Sequence, residues 1–277
     1  MTEILEGSLL ATAIREKAQA RIDTDATHPP GLAVILVGTD AASGIYVGLK
    51  EQAARDVGIY VEKLTFEKTT TTALLEKINE LNARPDIHGI LVQLPLPKGL
   101  NTDKIIAAIN PLKDVDGFHP TNRAALLNNQ PRLVPPVALG IMRLIQATRQ
   151  PLTGKNAVIV GKSEIFSEPI IELLKDSGVT ANFISYTQEN LGSITLAADI
   201  IVVAVGEPDF LKSDMVHEGA IIIDVGTNRQ PDGKVVGDVS KEAAAKASFV
   251  SKNPGGVGPL TVAYLLMNVI KAQGLLK

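Results

Sequence analysis

The chain has 277 residues, enough for two α/β domains with separate cores. Its net charge of -3, with no run of five like charges and no basic stripe, argues against a nucleic-acid partner. The absence of cysteine excludes disulfides and thiolate metal sites, and His28, His88, His119 and His217 stand too far apart for metal-ligand spacing, so no structural metal is expected.

With 4% aromatic residues and no Trp, the core must be built from Val, Ile, Leu and Ala, which suits parallel strands covered by helices. The opening MTEILEGSLL is acidic and lacks the apolar run of a secretory signal. The apolar runs, such as Ile200–Val205, are strand-length, so no membrane span is expected and a cytoplasmic location follows by default.

In chain order, Leu32–Val37 reads as a buried strand, residues 43–57 as a helix and Ile59–Phe66 as a second strand. Residues 72–81 read as a helix, and Gly89–Leu94 as a strand stopped by Pro95. Residues 111–136, with DVDGFHP, NNQP and VPP, carry loop chemistry and mark a domain junction. A helix over 137–148 leads to a second series, with strands at Ala157–Val160, Ala181–Ser185, Ile200–Val205, Ala220–Val225 and Phe249–Val250 and a helix over 168–177. An apolar helix over 260–272 closes the chain and is free to return to the first domain. The pattern predicts an α/β protein of two domains. The first is a three-layer domain with a parallel sheet, over 1–118 plus 260–277. The second is a Rossmann-like doubly wound domain over 137–259, with a cleft between the two.

Five groups of residues could carry chemistry. Gly161-Lys162-Ser163 follows the strand AVIV and precedes a helix, which is either a phosphate-binding turn or an ordinary tight turn. No acid stands at Ser185-Tyr186-Thr187 to bind a ribose 2′-hydroxyl, so Lys162 either meets a 2′-phosphate, favouring NADP over NAD, or is a solvated loop lysine. Tyr46 and Lys50 lie four apart on one helix face, where Lys50 is either a desolvated amine that exchanges protons near neutral pH or a surface lysine beside a half-buried tyrosine, and taken alone the spacing favours the latter. Gln93 is a polar residue in an otherwise apolar strand, near its carboxyl end, and could hydrogen-bond that amine. In KDVDGF, Asp114 and Asp116 could accept from an amidine-like ligand edge or cap a turn before Gly117, and Asp114 suits capping better than Asp116 does. The glycines of Pro254–Pro259, and Thr227 after Ile223–Gly226, permit close backbone approach to a ligand or form flexible turns.

Together these segments resemble the bifunctional methylenetetrahydrofolate dehydrogenase/methenyltetrahydrofolate cyclohydrolase family. The likeness spans nearly the whole chain and is carried by SGIYVGLK (43–50), GILVQLPLP (89–97), KDVDGF (113–118), GAIIIDVG (219–226) and PGGVGPLT (254–261). The resemblance implies NADP-dependent oxidation of methylenetetrahydrofolate and hydrolysis of the methenyl product to the formyl compound. It assigns Lys50, Tyr46 and Gln93 to catalysis, Tyr46, Asp116, Gly258 and Pro259 to the folate, and Gly161, Lys162, Ser163 and Thr227 to the dinucleotide. It also implies a homodimer joined through the nucleotide-binding domains. Lys162, Phe166 and Ser167 stand where the family has Arg, Val and Gly, and Ser167 is expected to crowd the helix start. Pro135–Ala138 and Phe183–Thr187 likewise depart from the family's PCTP and CHSxT.

Tyr-x-x-x-Lys is also the mark of short-chain dehydrogenases, but there the nucleotide turn comes first, and here Tyr46 precedes Gly161 by over a hundred residues. Two other readings stay open: a cyclohydrolase alone with a decayed dinucleotide site, and a non-catalytic folate-binding protein.

Overall fold

The computed structural model describes residues 2–24 and 28–276. In chain order the elements are β1 (Glu3–Leu5), α1 (Gly7–Thr24), β2 (Gly31–Val37), α2 (Ala41–Asp56), β3 (Tyr60–Phe66), α3 (Thr71–Ala83), β4 (Gly89–Val92), α4 (Thr102–Ala107) and α5 (Pro120–Leu127). There follow α6 (Pro136–Ala147), β5 (Asn156–Gly161), α7 (Glu164–Asp176), β6 (Thr180–Ser185), α8 (Leu191–Leu196), β7 (Ile200–Ala204) and β8 (Ile221–Asp224). The chain ends with β9 (Asn228–Arg229), β10 (Val235–Val236), α9 (Lys241–Lys246), β11 (Phe249–Ser251) and α10 (Val257–Leu276). Two compact units result, one of Thr12–Pro136 with Val262–Lys277, the other of Met1–Ala11 with Val137–Thr261.

The first unit is built on a parallel sheet of order β3-β2-β4. Every residue of β2 is buried, as a central strand covered on both faces requires. Side chains alternate across it. Leu32, Val34 and Leu36 pack with Val47 and Ala54 of α2 and with Leu265, Leu266 and Val269 of α10. Ala33, Ile35 and Val37 pack with Leu74, Ile78 and Leu81 of α3 and with Ile105 of α4. Three layers follow from that alternation.

The second unit holds a six-stranded sheet of order β1-β11-β8-β7-β5-β6, parallel throughout. Residues 1–11, assigned from sequence to the first domain, fall in this unit because β1 pairs with β11 in the register Ile4↔Val250. Residues 119–136, read as junction, fall in the first unit and contain α5. Pro120 is not a turn there. It occupies the start of α5, where its missing N–H costs nothing, and His119 Nδ1 accepts the Thr121 N–H at 3.0 Å as cap.

Helix α7 starts at Glu164, one turn before its expected start, because Ser163 Oγ caps it by accepting the Phe166 N–H at 3.3 Å. Pro169 lies inside this helix and is buried. Helix α10 is 20 residues long and apolar enough to cross a membrane, and it extends beyond the 260–272 expected from sequence at both ends. Its Leu265, Leu266, Val269 and Ala272 are buried in the first unit's core, which marks it as a core helix. Asn268 Nδ2 on the same helix donates to the carbonyls of Val115 and Val134, at 2.9 and 2.8 Å, and ties the loop around residue 115 to α10.

Leu266 is wholly buried, so Leu266→Ala is expected to lower unfolding free energy by about 2–5 kcal/mol. Urea denaturation followed by circular dichroism measures it; a loss under about 1 kcal/mol would show that α10 is not a core element.

Candidate active site

In the first unit the chain leaves β2, forms β3 on one side and returns to form β4 on the other. Ligands of open parallel sheets bind beyond the carboxyl ends of the strands where the order reverses in this way. Gln93 stands at that edge. Its N–H donates to Ile35 O at 2.9 Å, which extends the β4 ladder by one residue. Its side-chain Nε2 donates to Leu94 O at 2.7 Å, which turns Oε1 the other way, and Lys50 Nζ donates to Oε1 at 2.9 Å.

Lys50 is brought there by α2, whose start is fixed by Asp40 Oδ2 accepting the Ser43 N–H at 2.7 Å. Tyr46, one turn earlier, is exposed. Asp116 comes from the loop held beside β4. Ile90 N–H donates to Lys113 O at 2.7 Å and Ile90 bridges Asp114 in parallel register, so Asp116 arrives level with Val92 at the same edge.

The two aspartates of that loop have different tasks. Asp114 is buried and accepts from Gly117 N–H (3.1 Å), His119 N–H (2.8 Å) and Asn122 Nδ2 (2.9 Å), which makes it the cap of the turn. Asp116 lacks such a set of donors among the described residues and faces the charge of Lys50 instead. Lys50 is only half-buried in accessible surface, yet desolvation is the larger influence on its amine and lowers the pKa, against the pull of Asp116. Burial raises the Asp116 pKa, Lys50 opposes the rise and Asp114 adds to it. Both groups are thus pushed toward their neutral forms.

In the second unit β5 plays the part of β2, with β6 on one side and β7 on the other. Gly161 is level with both Ser185 and Ala204, so Lys162, Tyr186 and Val205 leave the sheet side by side. A Cβ on Gly161 would stand 3.1 Å from Ala204 O, so the tight exit suits glycine. Ser163 caps α7, whose first-turn N–H groups and dipole form an anion-binding start. Ser167 does not crowd it: the side chain is fully buried and Oγ donates to Ser163 O at 3.1 Å. Thr227 is exposed just beyond β8. Lys162 is paired with Glu207 at 3.3 Å and lies over the Tyr186 ring at 5.0 Å, so it is not simply solvated. Gly258, exposed, and Pro259 form the first turn of α10 in this same unit, with open space where a Gly258 Cβ would stand.

Two buried carboxylates at this edge escaped the sequence reading in their roles. Asp238 Oδ2 accepts from the N–H groups of Val205 (2.6 Å) and Gly206 (2.9 Å). Its Oδ1 accepts from Glu207 N–H (3.0 Å) and Asn228 Nδ2 (2.8 Å). Asp224 accepts from the N–H groups of Gly226 and Asp238, both at 3.0 Å, and of Val239 at 3.2 Å. A Cβ at Gly226 or Gly237 would run into one carboxylate or the other. Burial, with Asp238 beside it, pushes the Asp224 pKa up to about 6. Asp224 stands in the GAIIIDVG segment at a strand end, and Asp238 is marked in sequence by a Gly-Asp pair after Val235-Val236, neither of which by itself reveals burial.

Two surface cavities, of about 590 and 460 Å³, lie elsewhere, one beside His28, Tyr60 and His88 and the other beside Asp209, Lys212 and Glu242. Neither is lined by a residue of the sets above. Among the described residues no group of three His, Asp or Glu could hold a metal.

Residues 5–116 match the model of the tetrahydrofolate dehydrogenase/cyclohydrolase catalytic domain, and residues 135–275 that of the NAD(P)-binding domain of the same enzymes. The chain belongs to the tetrahydrofolate dehydrogenase/cyclohydrolase family. It is 44% identical over 274 residues to the bifunctional protein FolD of Dechloromonas aromatica (strain RCB), covering 98% of this chain and 96% of that one. The crystal structure of the bifunctional enzyme from Campylobacter jejuni superposes with a TM-score of 0.94 at 40% identity, over 99% of both chains. The Trypanosoma brucei enzyme, solved with NADP cofactor and an inhibitor, gives a TM-score of 0.94 at 30% identity over 99% of this chain and 98% of that one.

The raised Asp224 pKa has a consequence for stability. Between the ordinary value of 3.8 and about 6 the folded chain binds the proton that the unfolded chain has released. Stability from this group is therefore present at low pH and lost as pH rises from about 4 to about 6, by on the order of 3 kcal/mol. Asp224→Asn is expected to abolish that component, seen as a flatter stability profile in denaturant titrations across this window; an unaltered profile would exclude Asp224 as its source.

Proposed function

We propose that this chain oxidises 5,10-methylenetetrahydrofolate with NADP and hydrolyses the 5,10-methenyl product to 10-formyltetrahydrofolate. The observation that carries the reading is the desolvated Lys50 amine, 2.9 Å from an oriented Gln93 oxygen, with the Asp116 charge close by. NADP supplies the acceptor for the hydride of the first step. The residues of the second unit fit it: a glycine exit at Gly161, a capped helix start at Ser163, Thr227 beyond β8, and Lys162 in place of an acid.

The methenyl carbon is already cationic, so hydrolysis needs an oriented water and a base more than an acid. A neutral Lys50 amine donates one N–H to Gln93 and keeps its lone pair for the water proton. As the water oxygen bonds to the methenyl carbon, Lys50 takes that proton. It returns it to N5 of the folate as the carbon–N5 bond breaks, and the remaining hydroxyl proton leaves to solvent as the formyl carbonyl forms. Gln93 keeps the amine aimed through both transfers. Asp116 accepts two parallel N–H bonds from the amidine edge of the pterin, and Tyr46 stacks on the folate. Gly258 and Pro259 are the substrate contacts this reading assigns to α10. A homodimer and a cytoplasmic location go with it.

Lys50→Met is expected to keep the fold and to lower cyclohydrolase turnover at least about 100-fold, the usual worth of a positioned acid–base group. In the native enzyme the rate should fall as pH drops through a value below 10.5, because the amine must be neutral. Methenyltetrahydrofolate absorbance follows both, and unchanged turnover in Lys50→Met would remove Lys50 from the mechanism. Asp116→Ala should weaken folate binding about 10- to 100-fold through loss of a paired charged acceptor, with NADP binding little altered. Calorimetry with each ligand separates the two, and equal weakening would indicate a folding defect instead.

A further inference from the structure

Three strand exits converge in the second unit, and the charges on them oppose one another. β5, β6 and β7 end in register at Gly161, Ser185 and Ala204. Lys162 follows the first and Tyr186 the second, and Glu207 stands three residues past the end of the third. The Lys162 ammonium sits 3.3 Å from the Glu207 carboxylate and 5.0 Å from the centre of the Tyr186 ring, which is itself tilted against Phe210 at 6.5 Å. Glu207 is not on a free loop. Its N–H and those of Val205 and Gly206 all donate to the buried carboxylate of Asp238. The backbone that carries Glu207 is therefore fixed, and its acid is delivered to Lys162 from a rigid base.

The end of β6 offers hydroxyls and no acid: Ser185 Oγ and Thr187 Oγ1 are hydrogen-bonded to each other at 2.9 Å. Lys162 is thus the residue at these exits with the charge to hold a ribose 2′-phosphate, and Glu207 already holds it. A 2′-phosphate must displace that carboxylate and then tolerate it as a like-charged neighbour. A nucleotide with a free 2′-hydroxyl meets neither cost.

We infer that Glu207 is a specificity-determining residue, which restrains Lys162 and so weakens the preference for a dinucleotide bearing a 2′-phosphate over one without it. The inference rests on the proposed dinucleotide role of Lys162. Both side chains are about half exposed, at 48% and 51%, so exchanging either leaves the core untouched.

Calorimetric titration of the full-length protein with NADP and with NAD tests it. Glu207→Gln should tighten NADP binding by about 3- to 5-fold, the upper scale of an exposed charge pair, with NAD moving less than about 2-fold. The gain should shrink as ionic strength rises, and it should vanish in the double variant that also carries Lys162→Met. If Glu207→Gln moves both nucleotides equally, or neither, while Lys162→Met removes the NADP preference, the inference falls and the role of Lys162 stands. If Lys162→Met leaves the NADP-to-NAD ratio unaltered, the placement of Lys162 at the 2′-phosphate falls and takes the inference with it. Absence of binding by either nucleotide to the unaltered protein would overturn the dinucleotide reading itself.

Discussion

In each of the two larger sheets one strand lies between the next two strands of the chain, and the parallel pairing holds the carboxyl ends of all three nearly level. β2 is flanked by β3 and β4, β5 by β6 and β7. Parallel strands joined by helices must leave the sheet at one edge and re-enter at the other, so every exit loop gathers at the carboxyl edge. Where the order reverses, two exit loops turn away from each other and leave a gap. Gln93 and Lys162 occupy those gaps. The chemistry of this protein depends on that arrangement before it depends on any single side chain.

The buried charges then sort into those that serve the backbone and those that do not. Lys113 Nζ donates to the carbonyls of Leu81, Asn82 and Arg84 and closes the carboxyl end of α3. Asp114, Asp224 and Asp238 collect N–H groups that would otherwise be left in the interior. Burying such a carboxylate costs free energy that its donors largely offset, and the return is a fixed loop. Lys50 and Asp116 are in a different position. Gln93 gives Lys50 one bond, and beyond that the two chiefly have each other's charge. Groups held in low dielectric with unfilled hydrogen-bonding capacity are poised for a ligand and for proton transfer, in a way that fully bonded groups are not.

Much of this was legible in the sequence where local period and position coincide. Tyr46 and Lys50 share a helix face because four residues make about one turn, and Gln93 stands out because a polar side chain in GILVQL needs a partner. The distinction between Asp114 and Asp116 was legible too, since Asp three residues before Gly117 is placed to cap a turn. Other features were hidden for physical reasons. Strand β1 is three residues whose partner lies at the far end of the chain, and no local pattern records such a pairing. Helix α1 buries mainly small residues, Gly7, Ala11 and Ala18, so it lacks a broad apolar stripe. Asp238 acts on residues 205–207, over thirty positions earlier, and a carboxylate near a glycine looks the same in sequence whether it caps a turn or organises a sheet edge.

The departures from the family pattern around Gly161 are best understood as a connected set. Ser167 adds a hydroxyl at the start of α7 and returns it to the Ser163 carbonyl, so the helix start is kept without a glycine. Lys162 replaces a planar guanidinium with a compact ammonium that cannot grip a phosphate in two parallel bonds. The ammonium instead finds a carboxylate on one side and an aromatic face on the other. That pairing holds the lysine in place without the fork that arginine would supply, and it does so through Glu207, whose backbone is set by Asp238 and, through it, by Asp224. The position of the Lys162 ammonium at the end of β5 is therefore governed from the ends of β7 and β8. A substitution at the glycine turn is felt as a change in balance across the whole strand edge, because parallel register has placed those exits within reach of one another.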